Sequence, residues 1–233
     1  MADLSQSETS HDVWVFAYGS LMWHPGFAYV EACHAQLAGY HRAFCVYSVH
    51  YRGTPRRPGL VLGLDRGGTC EGIAFRLAKE SAAETLSYLR RRELIYGVYR
   101  ETLLPVTLFV VNRRRVLATA FIAERAHPAH TGVLPLAAQA GLIRGAQGAA
   151  GTNLDYLINS LDRLSHMGIR ERALDRLLAV AGGAFAARGK ISRTAGAPAR
   201  PRSQSLARVW RERRIEAPKL ERERRFTYRN KLS

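Results

Sequence analysis

Two places in the sequence combine residue types and spacing that could do chemistry. The first is Tyr18-Gly19-Ser20, which closes the β-branched and aromatic run from Val13 to Tyr18 (VWVFAY). A glycine leaving a buried strand permits a backbone that turns successive N–H groups toward a carboxylate or oxyanion. The plainer reading is a tight turn in which Tyr18 packs and Ser20 caps. The second is Glu93, four residues after Leu89 and seven after Leu86. That spacing puts a carboxylate on the stripe of a helix that faces the core. Burial would raise its pKa and the nearby Arg90, Arg91, Arg92 or Arg100 would lower it, so acid–base chemistry and a plain ion pair both stay open.

The elements that must position these residues follow from periodicity. Val13 to Tyr18 reads as a buried strand, and Gln36 to Tyr47 as another. Arg52 to Gly59 is turn-rich, and Leu60 to Leu64 with Glu71 to Leu77 suggests two strands about a turn at Asp65-Arg-Gly-Gly68, in a meander. Lys79 to Leu94 changes to helical period, with Gly97 as a stop. Strands return at Glu101 to Val111 and Val116 to Ala123. The last third is helical: Leu134 to Arg144, Leu154 to Met167 with Thr152 or Asn153 as cap, and Glu171 to Ala181. Strands first, one helix among them and helices last predict an α+β fold with a curved or barrel-like mixed sheet.

Composition bounds the function classes. The 233 residues carry a formal charge of +16, but residues 183–233 hold 15 Lys+Arg against 4 acids, a net of +11, leaving +5 for the rest. The high charge therefore argues for nucleic-acid binding only through that tail, if at all. The sequence divides into a flexible N-terminal segment (1–12), a folded domain (13–182) and a basic tail (183–233) that reads as disordered, with a short helix allowed from Leu206 to Arg214. No apolar run reaches the roughly 20 residues of a spanning helix, so no membrane contact is expected. Three cysteines without a CxxC pair give neither a disulfide framework nor a thiolate metal site, and the default is a reducing cytoplasm. His127-Pro-Ala-His130 lacks a third ligand, and the glycine-rich stretches lack a phosphate-loop context, so neither a metal nor a nucleotide cofactor is expected.

Several spaced motifs, in order, resemble one family. They are Val13-Trp-Val-Phe-Ala-Tyr-Gly-Ser-Leu-Met-Trp23, Gly39-Tyr-His-Arg-Ala-Phe-Cys45, Arg52-Gly-Thr54 with Pro58-Gly59, Arg92-Glu93, and Gly151-Thr-Asn-Leu-Asp-Tyr-Leu157. Over Val13 to Val180 the chain resembles the ChaC-like, glutathione-specific γ-glutamylcyclotransferases. It departs at Ala17, where the family usually has glycine, and at Tyr96, where the family tends to have a smaller residue.

The resemblance implies cleavage of glutathione to 5-oxoproline and Cys-Gly without a cofactor. The substrate's own α-amine would attack its γ-amide carbonyl, so the protein need supply no nucleophile, only a bent γ-glutamyl arm and a proton carrier. Glu93 matches the family's catalytic Glu. By the same resemblance the backbone of Val15, Phe16, Ala17, Tyr18, Gly19, Ser20 and Leu21 binds the γ-glutamyl part, and Tyr99 and Tyr156 stand at the pocket wall. Arg52 either meets the glycine carboxylate of glutathione or is a solvated loop arginine. Other γ-glutamyl amino acids or amines are alternative substrates, and a nucleic-acid-binding protein acting through its tail is the alternative of another class.

Overall fold

The computed structural model describes residues 12–183. Apart from Asp12 and Gly183, the expected N-terminal segment and basic tail, and the short helix expected from Leu206 to Arg214, lie outside them. Five strands close a barrel in the order β1-β3-β2-β4-β5: β1 (Trp14–Ala17), β2 (Glu31–Ser48), β3 (Gly59–Arg76), β4 (Tyr99–Leu108) and β5 (Arg114–Ala123). Helix α1 (Lys79–Glu93) joins β3 to β4, and α2 (Leu136–Gly145), α3 (Asn153–His166) and α4 (Arg172–Gly182) follow the barrel. The α+β expectation and the barrel-like mixed sheet stand. The meander does not, because β1 pairs antiparallel with β3 and parallel with β5 instead of adding next to β2.

β1 has no polar position because both of its faces are covered. Trp14 and Phe16 join Leu37, Leu64, Val106, Ala118 and Ile122 in a cluster made only of strand and strand-end residues, the barrel interior. Val15 and Ala17 join Leu60, Phe75, Leu89, Ile143, Leu157 and Leu177 in a second cluster beneath the helices. A strand buried on both sides reads as a continuous apolar run instead of an alternation.

The turn expected at Asp65 to Gly68 is absent, and β3 runs unbroken through it. Gly67 (φ +98°) and Gly68 (φ +71°) stand close to Gly39 (φ +84°) of β2, where the register shifts between Ala38 and Tyr40. The three glycines absorb a bulge that an 18-residue partner strand carries through, so the local turn signal yields to the long ladder. The shift has a consequence for β2: burial passes from odd positions (Cys33, Ala35, Leu37) to even ones (Arg42, Phe44, Val46, Ser48), with Cys45 also buried.

Two expected helix signals are in place. Gly97 (φ +64°) follows α1 and its N–H donates to Leu94 O at 3.0 Å, while Thr152 Oγ1 accepts from Asp155 N at 3.1 Å at the start of α3. The next residue, Asn153, is fully buried. Its Oδ1 accepts from Leu60 N at 2.6 Å and its Nδ2 donates to Leu60 O at 2.7 Å, so one side-chain amide pins α3 to the beginning of β3. Among the described residues no helix is long and apolar enough to cross a membrane.

Asn153→Ala strips both Leu60 backbone groups of their partner in a dry setting, which should lower stability by about 2–4 kcal/mol. Urea denaturation measures it; a loss under about 0.5 kcal/mol, the size of an ordinary surface change, would contradict the pinning role.

Candidate active site

β1 parts from β5 early. Their ladder ends at Val15↔Thr119, and beyond it the polar groups of the two strands need other partners. Tyr18 supplies one, donating its hydroxyl to Phe121 O at 2.8 Å. The Tyr18 carbonyl in turn accepts from Arg42 Nε. Leu21 and Met22, buried in a short 3-10 turn (Ser20–Met22), fasten the loop on its far side. Gly19 lies at φ −132°, so it does not serve through a left-handed backbone. A Cβ there would meet nothing within 4 Å, so the residue borders open space. Among the described residues no backbone carbonyl accepts from the N–H groups of Gly19, Ser20 or Leu21. The loop thus offers free donors beside open space.

Val15, Phe16 and Ala17 have fully buried side chains, so anything they give a ligand comes from backbone. Ala17 keeps an ordinary strand backbone, and its carbonyl passes over Gly72, where a Cβ would come within 2.2 Å of it. The close approach is met by glycine on β3 instead of on β1. Ser20 is exposed and makes no cap; its Oγ lies 3.3 Å from Arg92 Nη2.

Glu93 is the last residue of α1, and its side chain keeps 21% of its surface exposed. It therefore stands at the rim of the core and not inside it, because the helix ends there and the buried stripe closes with Leu89. Arg92 Nε is 3.1 Å from its Oε1. The same guanidinium donates through Nη1 to His24 O (2.9 Å) and Pro25 O (3.0 Å), so Arg92 ties the carboxylate's helix to the loop that leaves β1. Arg90 anchors the other side, with two bonds to Glu101 of β4 at 2.7 and 2.8 Å. The ion pair left open by the sequence exists, and it locates Glu93.

Three buried tyrosines lie within electrostatic reach of this carboxylate. Burial pushes the Tyr18 and Tyr99 phenols well above their ordinary range, and the negative charge of Glu93 adds to both. Tyr156 is pushed up to about 12, chiefly by burial, with Glu93 again raising it and Arg52 opposing. One charge felt by all three groups joins the end of β1, the end of α1, the start of β4 and the first turn of α3 in one site. Tyr99 Oη donates to Leu62 O at 2.7 Å. Arg52 is not a solvated loop residue: its guanidinium carbon lies 5.0 Å from the Tyr156 ring centroid, Nη1 reaches Thr152 O at 3.3 Å, and burial lowers its pKa. Tyr96 packs edge-on to Tyr51, ring centroids 6.4 Å apart, and burial takes its phenol to about 12.

The histidine pair has a local use. His127 Nδ1 accepts from Ala129 N and His130 Nδ1 from Gly132 N, at 3.1 and 3.0 Å. Among the described residues no three His, Cys, Asp or Glu side chains stand where they could hold a metal ion.

The model of the ChaC-like protein family matches residues 13–182. The chain belongs to that family. Its relatives include the glutathione-specific gamma-glutamylcyclotransferase of Escherichia coli (strain K12), 39% identical over 166 residues, covering 71% of each chain. The glutathione-specific gamma-glutamylcyclotransferase 1 of Mus musculus is 33% identical over 160 residues, covering 67% of this chain and 71% of that one. A solved yeast structure described as a gamma-glutamyl cyclotransferase specific to glutathione superposes with a TM-score of 0.68 at 22% identity, over 75% of this chain and 97% of its own, which shows a shared fold. In this ChaC-like chain the family motifs are the pieces that meet at Glu93 or hold its neighbours in place.

The sequence singles out neither Arg42, nor the reach of the Asn153 amide to β3, nor the bridge that Arg92 makes to the loop after β1. An Arg inside the strand-like run Gln36 to Tyr47 was a signal of the same kind as an acid on an apolar helix stripe.

The raised phenols have a pH signature. Protons held more tightly in the folded state stabilise it fully below the unfolded pKa of about 10, and that stability is lost as pH rises toward the folded values. Between pH 10 and 12 each of Tyr18, Tyr99 and Tyr156 should lower the unfolding free energy by about 1.4 kcal/mol per pH unit. Denaturation midpoints across that interval check this; a flat profile would mean the phenols are not enclosed.

Proposed function

We propose that the chain is a glutathione-specific γ-glutamylcyclotransferase, releasing 5-oxoproline and Cys-Gly in the cytoplasm. One observation carries the reading: Arg92 pairs with Glu93 and donates to His24 O and Pro25 O, tying the carboxylate to the loop whose Gly19 and Ser20 N–H groups meet no backbone carbonyl among the described residues, in a chain whose family relatives bear that activity in their names. The catalytic unit is residues 13–182, and the basic tail takes no part in the chemistry.

The reaction closes a lactam. The α-amine of the γ-glutamyl group attacks the γ-carbonyl carbon, a new C–N bond forms, and the bond to the cysteinyl nitrogen breaks. An α-amino group with a pKa of about 8 is largely protonated at neutral pH and must lose a proton before it attacks. Glu93 takes that proton and gives it to the departing nitrogen, then carries the second proton that the ring nitrogen must lose to the same amine, so Cys-Gly leaves as its ammonium, the carboxylate ends as it began and no water is consumed. The backbone from Val15 to Leu21 receives the anionic oxygens, with the Gly19 and Ser20 N–H groups facing the charge that grows on the substrate. Tyr99 and Tyr156 wall the pocket. Arg52, stacked on Tyr156, meets the glycine carboxylate, a group that γ-glutamylamines lack, and this favours glutathione over them.

Purified protein given glutathione should form 5-oxoproline and Cys-Gly in equal amounts, faster than it cyclises a γ-glutamylamine. Glu93→Gln should lower kcat about 10²- to 10⁴-fold while glutathione still binds within about tenfold. Folded wild type that forms neither product would end the reading, and near-normal turnover by Glu93→Gln would remove Glu93 from it.

A further inference from the structure

Arg42 lies on β2, and its side chain is fully enclosed. A guanidinium in such a place must find replacements for its lost hydration, and here it finds them on three elements at once. Nε donates to the Tyr18 carbonyl, Nη2 to the Glu71 carbonyl of β3, and Nη1 to the carboxylate of Glu171, which immediately precedes α4. Met22 Sδ lies 3.8 Å from Nη2, beneath the same loop. Glu171 compensates the charge, leaving the directional grip on two carbonyls as what distinguishes Arg42 from an apolar residue of similar size. A planar fork of donors can hold these acceptors together; a single ammonium cannot.

One of those acceptors belongs to the peptide that joins Tyr18 to Gly19. No peptide bond among the described residues is cis, and in a trans peptide the C=O and N–H point in opposite directions. With the Tyr18 carbonyl drawn onto Arg42, the Gly19 N–H faces away from the guanidinium. On that residue a Cβ would meet nothing within 4 Å, and no backbone carbonyl among the described residues accepts from its N–H. A carbonyl that accepts from a cation also polarises its own amide group, which strengthens the N–H as a donor. The family motif Gly39-Tyr-His-Arg-Ala-Phe-Cys45 contains this arginine, and the bulge at Gly39 coincides with the change of buried face that turns residue 42 inward.

We propose that Arg42 is a positioning residue: by holding the Tyr18 carbonyl it aims and polarises the Gly19 N–H that receives an anionic oxygen of the γ-glutamyl group. This deepens the cyclotransferase reading and rests on it. Arg42 touches no substrate, and its effect passes entirely through the Tyr18–Gly19 peptide.

The test uses the full chain as wild type, Arg42→Lys, and the double variant Arg42→Met with Glu171→Gln, which removes both charges and leaves no orphaned carboxylate. Thermal unfolding establishes the folded fraction, and kcat and KM for glutathione are measured on that fraction. In an isotope-labelled Glu93→Gln background, amide NMR follows Gly19 as glutathione is added. The double variant should unfold cooperatively yet lose about 100-fold in kcat/KM, the scale of a lost oxyanion donor. Arg42→Lys should fall by at least about tenfold although it keeps the charge, and the Gly19 amide should move downfield with glutathione only when Arg42 is present. If the double variant does not fold, Arg42→Lys decides on the same two readouts. Folded variants within about threefold of wild type, or a Gly19 response that persists without Arg42, overturn this inference and leave the cyclotransferase reading standing. Wild type that does not turn over glutathione overturns both.

Discussion

The structure depends on how β1 is enclosed. Four residues, Trp14–Ala17, close the barrel by pairing antiparallel with β3 along their whole length and parallel with β5 at only two positions. Apolar clusters cover both faces, so the strand can neither slide nor turn over without exposing one of them. A short, rigid strand that ends inside the fold delivers the next residues to one place. Because its ladder to β5 stops early, the polar groups at the divergence must be met by side chains, and Tyr18 and Arg42 meet them. The loop from Gly19 to Met22 is held at both ends, while among the described residues no backbone carbonyl accepts from the N–H groups of Gly19, Ser20 or Leu21.

Charge is used at two depths. Arg42 is enclosed, neutralised by Glu171, and acts on backbone carbonyls. Arg92 stands at the rim, its side chain 14% exposed, and bridges Glu93 to the loop through His24, Pro25 and Ser20. In the proposed reading the first shapes the donor offered to the substrate; the second ties the helix that ends in Glu93 to the loop that carries this donor. Arg90, on the surface with Glu101, adds alignment more than stability, as exposed ion pairs generally do. The local cations of the folded domain thus matter through geometry, while the excess charge of the chain is carried mostly by residues 183–233.

How much of this could be read from the sequence depended on whether the cause was local. β1, the helical period of α1, its stop at Gly97 and the Thr152 cap are set by neighbouring residues, and the structure holds them near the expected positions. The turn at Asp65-Arg-Gly-Gly68 was locally plausible but lost to pairing with a long partner strand, which no window of sequence contains. The bulge at Gly39 moved the buried face of β2 by one residue and so concealed Arg42, whose partners lie 20 to 129 positions away. Glu93 was found on the right helix for an incomplete reason: it closes the helix at the rim, where its neighbours come from four separate elements. Asn153 was read as a cap, while its amide serves β3, 93 positions distant. The family motifs marked most of these residues together because they share one site and its supports, not because of local periodicity.

The central claim is that Glu93 and the loop after β1 act on the same γ-glutamyl group from two sides. A crystal structure of the Glu93→Gln variant with glutathione bound tests it most directly. The substrate α-amine should lie within about 3 Å, or one water, of the residue 93 side chain, with a γ-glutamyl oxygen on the Gly19 N–H. Glutathione bound with its γ-glutamyl arm away from the Gly19 loop, or with its α-amine beyond the reach of residue 93, would contradict it.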